Sequence, residues 1–387
     1  MRVIPTFGEV LPLLIVTFVA AMLLAVALTP VVRRLMLRLD AIDTPDQRRV
    51  NKSPLPRGGG IAVAFAFLVV AVGVLVVNDR LELVDIPFTI SASELSALLA
   101  GGALATVIGF LDDYFQLRAR WQLLGQLAVA LLAVAAGISV TYLNNPFGSG
   151  VISLDGAFAI GFTMLWIVGM INSINFIDGL DGLSSGIALI AAATLGLISL
   201  TTTVAQPFIA VLCFALAGSL LGFLRWNFHP ATIFIGTSGV MFVGYTLAVL
   251  SILGTAKVAV ALLVLGVPII DTFWIIVRRV ANGRSPFTPD RGHIHHRLLD
   301  LGLSHGQTVL VIYGLCIVLA LLSFLLSGTG QLYAFMGLAL AFGLALFLFT
   351  RDETVDALEA ETYEAANPDV PAPSEARDPL DPPPASA

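Results

Sequence analysis

Apolar runs as long as a bilayer is thick recur along almost the whole of this chain. A transmembrane helix needs about 20 consecutive apolar residues, and the pattern predicts spans at 11–30, 60–77, 92–110, 121–142, 156–173, 184–203, 207–224, 233–253, 257–277, 307–327 and 331–350. Of the 387 residues, 57% are hydrophobic and 12% are charged, whereas soluble domains carry about 25% charged residues. The sequence therefore predicts an all-α polytopic membrane protein with about eleven transmembrane helices, the first of them a retained span and not a cleaved signal peptide.

Basic residues are concentrated in alternate connecting segments. Segments 31–59 and 278–306 are strongly basic, whereas 78–91 and 143–155 hold one basic residue between them, Arg80. Because short basic loops stay in the cytoplasm, eleven spans place the N-terminus outside and the C-terminus inside. We expect a multi-pass protein of the cytoplasmic (inner) membrane, with membrane lipids as partners and no nucleic acid.

Residues 351–387 differ in composition from the rest of the chain. They hold ten of the 26 acidic residues and are rich in Pro and Ala. Such a segment cannot bury enough apolar surface to fold, so we predict a disordered acidic tail after a membrane domain at 1–350. The two cysteines, Cys213 and Cys316, lie in apolar runs and are expected to be buried as small hydrophobic residues.

Two polar clusters precede the middle of the chain. In "DTPDQRRVNKSPLPRGGG", Arg48 and Arg57 alternate with prolines before three glycines, which is typical either of an anion-binding loop or of a positive-inside anchor with a turn. In "FLDDYFQL", Asp112 and Asp113 are adjacent carboxylates at the end of an apolar helix. Keeping both charged at a membrane edge is costly without a cation, a proton role or a basic partner, for which Arg120 is a candidate.

A third cluster has near-regular spacing. In "NSINFIDGLDGLSSG", Asn172, Asn175, Asp178 and Asp181 follow one another at intervals of three residues. Each such step turns a helix by about 300°, so the first three side chains fall within roughly 120° and can face one cavity. Gly179 and Gly182 weaken the helix there, and a break at membrane depth is tolerated where it lines a water-filled site. The alternative is an ordinary polar loop between two spans.

The fourth cluster is the histidine-rich stretch "SPFTPDRGHIHHRLLDLGLS". It packs His293, His295 and His296 between Arg291 and Arg297. This arrangement predicts a cationic or general acid–base cluster. A zinc site is the alternative, although no thiolate is near and the spacing is tighter than in the usual zinc motifs.

Together the clusters offer oxygen ligands for a hard cation such as Mg²⁺ and basic groups for phosphate, all on the predicted cytoplasmic face. These are the requirements of phosphoryl transfer between a water-soluble phosphate compound and a lipid, a reaction that depends mainly on positioning and charge neutralisation. A transporter is disfavoured because the polar residues collect at one face and not at mid-membrane, and because no internal repeat is visible.

These motifs closely resemble those of the polyprenyl-phosphate N-acetylhexosamine-1-phosphate transferase family, from about Asp43 to Ser304. "DTPDQRRVNKSPLPRGGG" resembles the family's first cytoplasmic loop, with Asn51 where a histidine is usual. "LDDYFQL" resembles its Asp-Asp motif, with Arg120 where a lysine is common, and "NSINFIDGLDGL" is similar to its Asn-Asn-Asp-Asp signature. "RWNFHPA" and "HIHHRL" resemble the N-acetylglucosamine branch more than the phospho-MurNAc-pentapeptide branch.

The resemblance implies that a polyprenyl-phosphate oxygen attacks the β-phosphorus of a UDP-sugar, as the first membrane step of cell-envelope glycan synthesis. UMP is released and a lipid-diphospho-sugar remains. The implied cofactor is Mg²⁺, with Mn²⁺ as the alternative ion, and a homodimer is left open. The implied roles are catalysis by Asp112, Asp113, His293, His295 and His296; metal binding by Asn175 and Asp178; and substrate binding by Arg48, Arg57, Arg120, Asn172, Asp178, Asp181, Arg291 and Arg297.

One position departs from the family pattern. After "NFHPA" the family usually has Gly-Asp-x-Gly-Ser, and its Asp is a principal Mg²⁺ ligand. This chain has "GTSGV", with Thr237 in the Asp position and Val240 in the Ser position. Because a neutral hydroxyl is a weaker Mg²⁺ ligand than a carboxylate, the alternative to a transferase is a non-catalytic relative that binds lipid phosphate or UDP-sugar.

Overall fold

The structure is a computed structural model. It describes residues 7–43, 54–81, 84, 90–145, 147–148, 150–201, 204–254, 257–281, 283, 293–326 and 328–344. Arg48 and Arg291, which were predicted to bind substrate, lie outside the described residues, as does the predicted tail at 351–387. Residues up to Met336 form one compact unit; a second begins at Gly337 and is described only as far as Leu344.

The described residues form helices joined by short loops and two small hairpins. The helices are α1 (Phe7–Arg38), α2 (Gly60–Leu81), α3 (Ala92–Phe115), α4 (Ala119–Ala135), α5 (Gly156–Ile177), α6 (Leu183–Ser199), α7 (Pro207–Asn227), α8 (Gly236–Leu253), α9 (Lys257–Val264), α10 (Gly266–Ala281), α11 (Ile294–Asp300), α12 (His305–Leu325) and α13 (Gly328–Leu344). The antiparallel hairpins are β1 (Ile42–Asp43) with β2 (Leu55–Pro56), and β3 (Tyr142–Asn144) with β4 (Val151–Ser153).

Seven of these helices are long and apolar enough to cross a membrane, and the number rises to eight if α9 and α10, bent by 78° at their junction, form one span. Three shorter apolar helices are α4, α6 and α13. The prediction of an all-α polytopic membrane protein is confirmed. The count of eleven spans and the orientation of the termini stay predictions, because length and composition alone do not decide whether each shorter helix crosses the bilayer.

The centre of the bundle is formed by α7 and α8, whose apolar stretches are each 83% buried. Glycines let their neighbours approach closely. A Cβ atom added at Gly218 of α7 would lie 2.2 Å from the Phe18 carbonyl oxygen of α1, and one added at Gly60 of α2 would lie 1.9 Å from the Cα of Gly239 in α8. Small residues at such crossings are the usual means of helix packing in membranes, where apolar burial gives little driving force.

Several helices end at the same face of the bundle, because glycines and left-handed residues stop them there. Helix α5 ends at Ile177, and α6 begins after Gly182, which has φ +78°. The predicted break at Gly179 and Gly182 is therefore confirmed. On the same face, α3 ends at Phe115 and is followed by Gln116 with φ +51°, and α8 begins at Gly236 with φ +71°. We call this end of the bundle the site face.

Candidate active site

A cavity of about 360 Å³ opens at the site face. It collects residues from six helices and the loops beside them, although these segments are far apart in the sequence. We call it the site cavity, and its lining consists of Asp43, Arg57, Asp113, Asn175, Asp178, Gly179, Leu180, Asp181, Asn227, His229, Phe234, Gly236, Thr237, His296 and His305.

Asp113 reaches the site cavity from the last turn of α3 and is held by the first turn of α8. Its two oxygens accept the backbone N–H groups of Thr237, at 2.7 Å, and Ser238, at 3.0 Å. The unpaired N–H groups and the dipole at a helix N-terminus both favour a carboxylate. Gly236 leaves room for this contact, because a Cβ at that position would lie 2.7 Å from Asp113 Oδ2. The N-terminus of α8 therefore stabilises the Asp113 carboxylate, for which the sequence alone did not identify a partner.

Asp112 points to a different place. It lines a smaller pocket of about 200 Å³, together with Asp43 and Arg57. Its oxygens accept hydrogen bonds from the Leu117 N–H, the Gln122 amide and the Thr237 hydroxyl, at 2.9, 2.8 and 2.6 Å. Adjacent residues on a helix project about 100° apart, and for this reason the two carboxylates face separate spaces.

Arg120 does not serve as the basic partner that the sequence suggested for these carboxylates. Its guanidinium lies over the Trp121 ring, 5.5 Å from the ring centroid, on the exposed surface of α4. Arg57 is the basic residue of the described chain that lines both spaces, and it forms an ion pair with Asp43.

Three of the four regularly spaced polar residues line the site cavity, and the first, Asn172, does not. Asn175, Asp178 and Asp181 line the site cavity, whereas the Asn172 amide donates to Gln126 Oε1 at 2.7 Å and to the Val168 carbonyl at 2.8 Å. Asn172 therefore joins α5 to α4 and does not line the cavity. Asp181 reaches the cavity because α5 ends before it, so helical geometry no longer sets its direction.

Asp178 is the first residue beyond α5. Desolvation in the cavity raises the pKa of its carboxyl from 3.8 to about 7, against the opposing effect of a 2.5 Å hydrogen bond donated by Ser184. The neighbouring Asp113 and Asp181 charges raise this pKa further, and the Arg57 charge lowers it. A carboxylate in this position benefits from a cation, and with the amide of Asn175 it offers the oxygen donors that Mg²⁺ prefers.

Asp181 contacts two histidines that sequence reasoning did not select, His229 and His305. His229 Nδ1 lies 2.8 Å from Asp181 Oδ2, and the Asp181 N–H donates to His305 Nε2 at 2.9 Å. The two rings stack with their centroids 4.2 Å apart. Each histidine is solitary in its segment, 48 and 124 residues from Asp181, so no spacing in the sequence could have joined them.

The three histidines of the predicted cluster, His293, His295 and His296, have different surroundings. Only His296 lines the site cavity. His293 Nδ1 lies 2.7 Å from Asp271 Oδ2 of α10, and the same carboxylate accepts the Ile294 N–H at 3.0 Å. His295 is buried under Gly179, and burial and the neighbouring histidines lower its pKa well below the usual value, so its ring is neutral. Arg297 lies on α11 outside the cavity lining.

The site cavity therefore offers carboxylates and an amide for a cation, with Arg57 and His296 for phosphate oxygens. Charged and polar groups of both kinds meet at one end of apolar helices. The arrangement suits the transfer of a phosphoryl group between a membrane lipid and a soluble molecule.

Comparison with known proteins gives a consistent result. Residues 95–255 match the family model described as glycosyl transferase family 4. The chain is 36% identical over 306 residues to a probable undecaprenyl-phosphate N-acetylglucosaminyl 1-phosphate transferase of Bacillus subtilis (strain 168), covering 78% of this chain and 81% of that protein.

Two further relatives extend the comparison. A decaprenyl-phosphate N-acetylglucosaminephosphotransferase of Mycobacterium leprae is 37% identical over 302 residues, covering 71% of this chain and 74% of that protein. A phospho-N-acetylmuramoyl-pentapeptide-transferase of Listeria monocytogenes is 32% identical over 259 residues, covering 61% of this chain and 77% of that protein.

Proposed function

Since this chain belongs to glycosyl transferase family 4, the family of polyprenyl-phosphate N-acetylhexosamine-1-phosphate transferases, we propose that it transfers N-acetylglucosamine-1-phosphate from a UDP-sugar to a polyprenyl phosphate. An oxygen of the lipid phosphate forms a bond to the β-phosphorus, the bond between that phosphorus and the bridging oxygen breaks, and UMP leaves. The observation that carries the proposal is the site cavity, which joins Arg57, Asp113, Asp178 and His296 at one end of the membrane helices.

We assign the cofactor as Mg²⁺, held by Asp178 and Asn175 together with substrate oxygens and water, as is usual for this ion. The donor types fit, because both side chains line the cavity and burial raises the pKa of the Asp178 carboxyl to about 7, an effect that a bound cation would offset. When bound, Mg²⁺ supplies neutralisation of the diphosphate charge.

The chain's own groups orient the reactants. Arg57 pairs with phosphate oxygens, and its location in both spaces lets it contact the lipid phosphate near Asp112 or the diphosphate near Asp113. His296, which lines the same cavity, contacts phosphate there as well. Asp113, which the first turn of α8 holds in the cavity, would accept the proton of the lipid phosphate and so prepare its oxygen for attack.

We further propose that the site face is cytoplasmic and that the chain resides in the bacterial cytoplasmic membrane. The segments 31–59 and 278–306 are strongly basic, as the positive-inside rule expects of cytoplasmic loops, and their described residues Arg57, His296 and His305 line the site cavity. A UDP-sugar made in the cytoplasm would then enter the cavity directly.

The decisive experiment incubates the purified full-length chain with undecaprenyl phosphate, Mg²⁺ and a panel of UDP-sugars, and measures UMP. We expect lipid-dependent UMP release with UDP-N-acetylglucosamine. Asp113→Asn should lower the rate at least about 100-fold, near 2.7 kcal/mol in activation free energy. The matched control is Asp155→Asn, at the opposite end of α5, which should retain the wild-type rate.

Absence of UMP with every pair of substrates, combined with retained UDP-sugar binding, would refute transfer and identify a non-catalytic binder. UMP release without added lipid would show hydrolysis in place of transfer.

A further inference from the structure

Asp181, His229 and His305 come together at one wall of the site cavity from three separate segments. Asp181 lies in the turn between α5 and α6, His229 in the loop after α7, and His305 at the first position of α12. One ligand atom from each residue lies within 4.8 Å of the others. Asp181 itself is only 8% exposed, and a buried carboxylate is usually paired or bound to a metal.

The donor set differs from that of a magnesium site. Mg²⁺ takes oxygen ligands in near-octahedral geometry, whereas imidazole nitrogens suit zinc and other divalent transition ions. Two histidines and one carboxylate, with a position left open, form a recurrent zinc set in enzymes. We propose that Asp181, His229 and His305 form a second metal site, which takes a divalent transition ion such as Zn²⁺.

The geometry is close to what such an ion needs. Bonds of about 2.0–2.2 Å place two ligands of one zinc ion roughly 3–4 Å apart. Asp181 Oδ2 and His229 Nδ1 are 2.8 Å apart, so small side-chain rotations open space for the ion between them. His305 Nε2 gives up its hydrogen bond from the Asp181 N–H and turns towards the same point.

The stacked rings also favour metal binding. Their centroids are 4.2 Å apart, and a ligand nitrogen from each ring lies within 4.8 Å of the other ligand atoms of the cluster. Neutral imidazole is the form that binds metals. The His229 side chain is 46% exposed, which gives an ion in solution direct access to the cluster.

This site is separate from the proposed magnesium ligands, Asn175 and Asp178, and does not depend on the transfer reaction. Thr237, which stands where the family pattern has a carboxylate, also lines the site cavity but is not one of the three ligands.

The test measures metal binding and not activity. The full-length chain is purified in detergent without a polyhistidine tag, stripped with EDTA, and titrated with Zn²⁺ by calorimetry and with Co²⁺ by visible absorption. We expect one tightly bound ion per chain, a Co²⁺ absorption spectrum typical of nitrogen ligands, and retention of the ion in a 100-fold excess of Mg²⁺.

Three variants and one control assign the ligands. Asp181→Asn, His229→Gln and His305→Gln should each weaken Zn²⁺ binding at least tenfold. His296→Gln removes a histidine from the same cavity but not from the cluster, and it should bind as wild type does. His229→Gln decides the question if the more buried variants fail to fold, because its side chain is the most exposed of the three.

Two results would overturn the proposal. One is the absence of stoichiometric Zn²⁺ or Co²⁺ binding to folded wild type. The other is unchanged binding in folded His229→Gln. Either result can coexist with normal UMP release, so failure of this inference is distinguishable from failure of the proposed function.

Discussion

The hydroxyl of Thr237 donates a 2.6 Å hydrogen bond to Asp112 Oδ2, while the backbone N–H of the same residue donates to Asp113 at 2.7 Å. One residue of α8 thus holds both members of the acidic pair of α3. The sequence suggested only that Thr237 had replaced a metal ligand. The structure gives it a second role, that of a neutral donor between two carboxylates.

Thr237→Asp should change the dependence of UMP release on Mg²⁺. A third carboxylate beside Asp112 and Asp113 adds a hard ligand, and the Mg²⁺ concentration for half-maximal rate should fall about tenfold, or 1.4 kcal/mol in binding free energy. Without Mg²⁺ the three like charges should lower the melting temperature. Mg²⁺ titration of UMP release, and thermal unfolding with and without the ion, measure these effects.

Thr237→Asn is the matched control, since it has the size of aspartate without its charge and should leave the Mg²⁺ requirement near that of wild type. If wild type is already saturated at sub-millimolar Mg²⁺ and Thr237→Asp changes nothing, Thr237 does not limit metal binding.

Asp178→Asn should make stability less dependent on pH. Desolvation raises the pKa of Asp178 to about 7 in the folded protein, so between about pH 4 and 7 the folded state holds a proton that the unfolded state releases. The free energy of unfolding therefore falls as pH rises through this window. Without divalent ions, the melting temperature of wild type should therefore fall more than that of the variant from pH 5 to pH 8. The difference between the two falls should be roughly 2 °C or more.

Addition of Mg²⁺ at pH 8 should reverse this difference by stabilising wild type and not the variant. Parallel pH profiles for the two proteins would contradict the raised pKa.

Asp271 and His293 should behave as one unit. Asp271 is fully buried and holds the His293 ring at 2.7 Å, so removing either partner leaves a buried polar group unpaired. Asp271→Asn and His293→Gln should each destabilise the protein, and the double variant should be less destabilised than the sum, with a coupling of about 1–3 kcal/mol. Unfolding of the four proteins in detergent gives this energy; additive effects would show that the contact is unimportant.

Gly60→Ala should destabilise the packing of α2 on α8. Its methyl group would lie 1.9 Å from the Cα of Gly239, and the backbone cannot move aside easily, so we expect a loss of about 1–3 kcal/mol or more. Gly73→Ala in the same helix is the control, because no atom lies within 4 Å of its added Cβ. It should be neutral or stabilising by up to about 1 kcal/mol. Similar melting temperatures for the two variants would contradict the close crossing.

The orientation of the site face can be tested by cysteine labelling. Asn51→Cys, Arg118→Cys and Ser304→Cys should react with membrane-impermeant maleimide only after the cytoplasmic side is opened. The native Cys213 and Cys316 are buried, so the wild-type background should be unreactive. Labelling of any one of the three from outside would refute the eleven-span arrangement.

The sequence by itself determined the class of the protein and the types of side chain that its candidate site contains. Apolar runs of bilayer length force helices, because backbone polar groups have no water to bond within the membrane. Polar residues that interrupt such runs are costly, so Asp112, Asp113, Asp178 and Asp181 stood out without any structure. Gly179 and Gly182 likewise indicated where a helix ends, since glycine disfavours the helical state.

Only the tertiary structure decided which of these side chains share a cavity. Asn172 and Asn175 belong to the same spaced motif of α5, yet an angle of about 60° around the helix directs Asn172 towards Gln126 and Asn175 into the site cavity. His229 and His305 meet Asp181 because α6, α7 and α12 bring distant chain segments to one wall. Local sequence fixes the type of each group and the helix it belongs to. The direction it faces depends on helix rotation and packing, which arise from contacts between residues far apart in the chain.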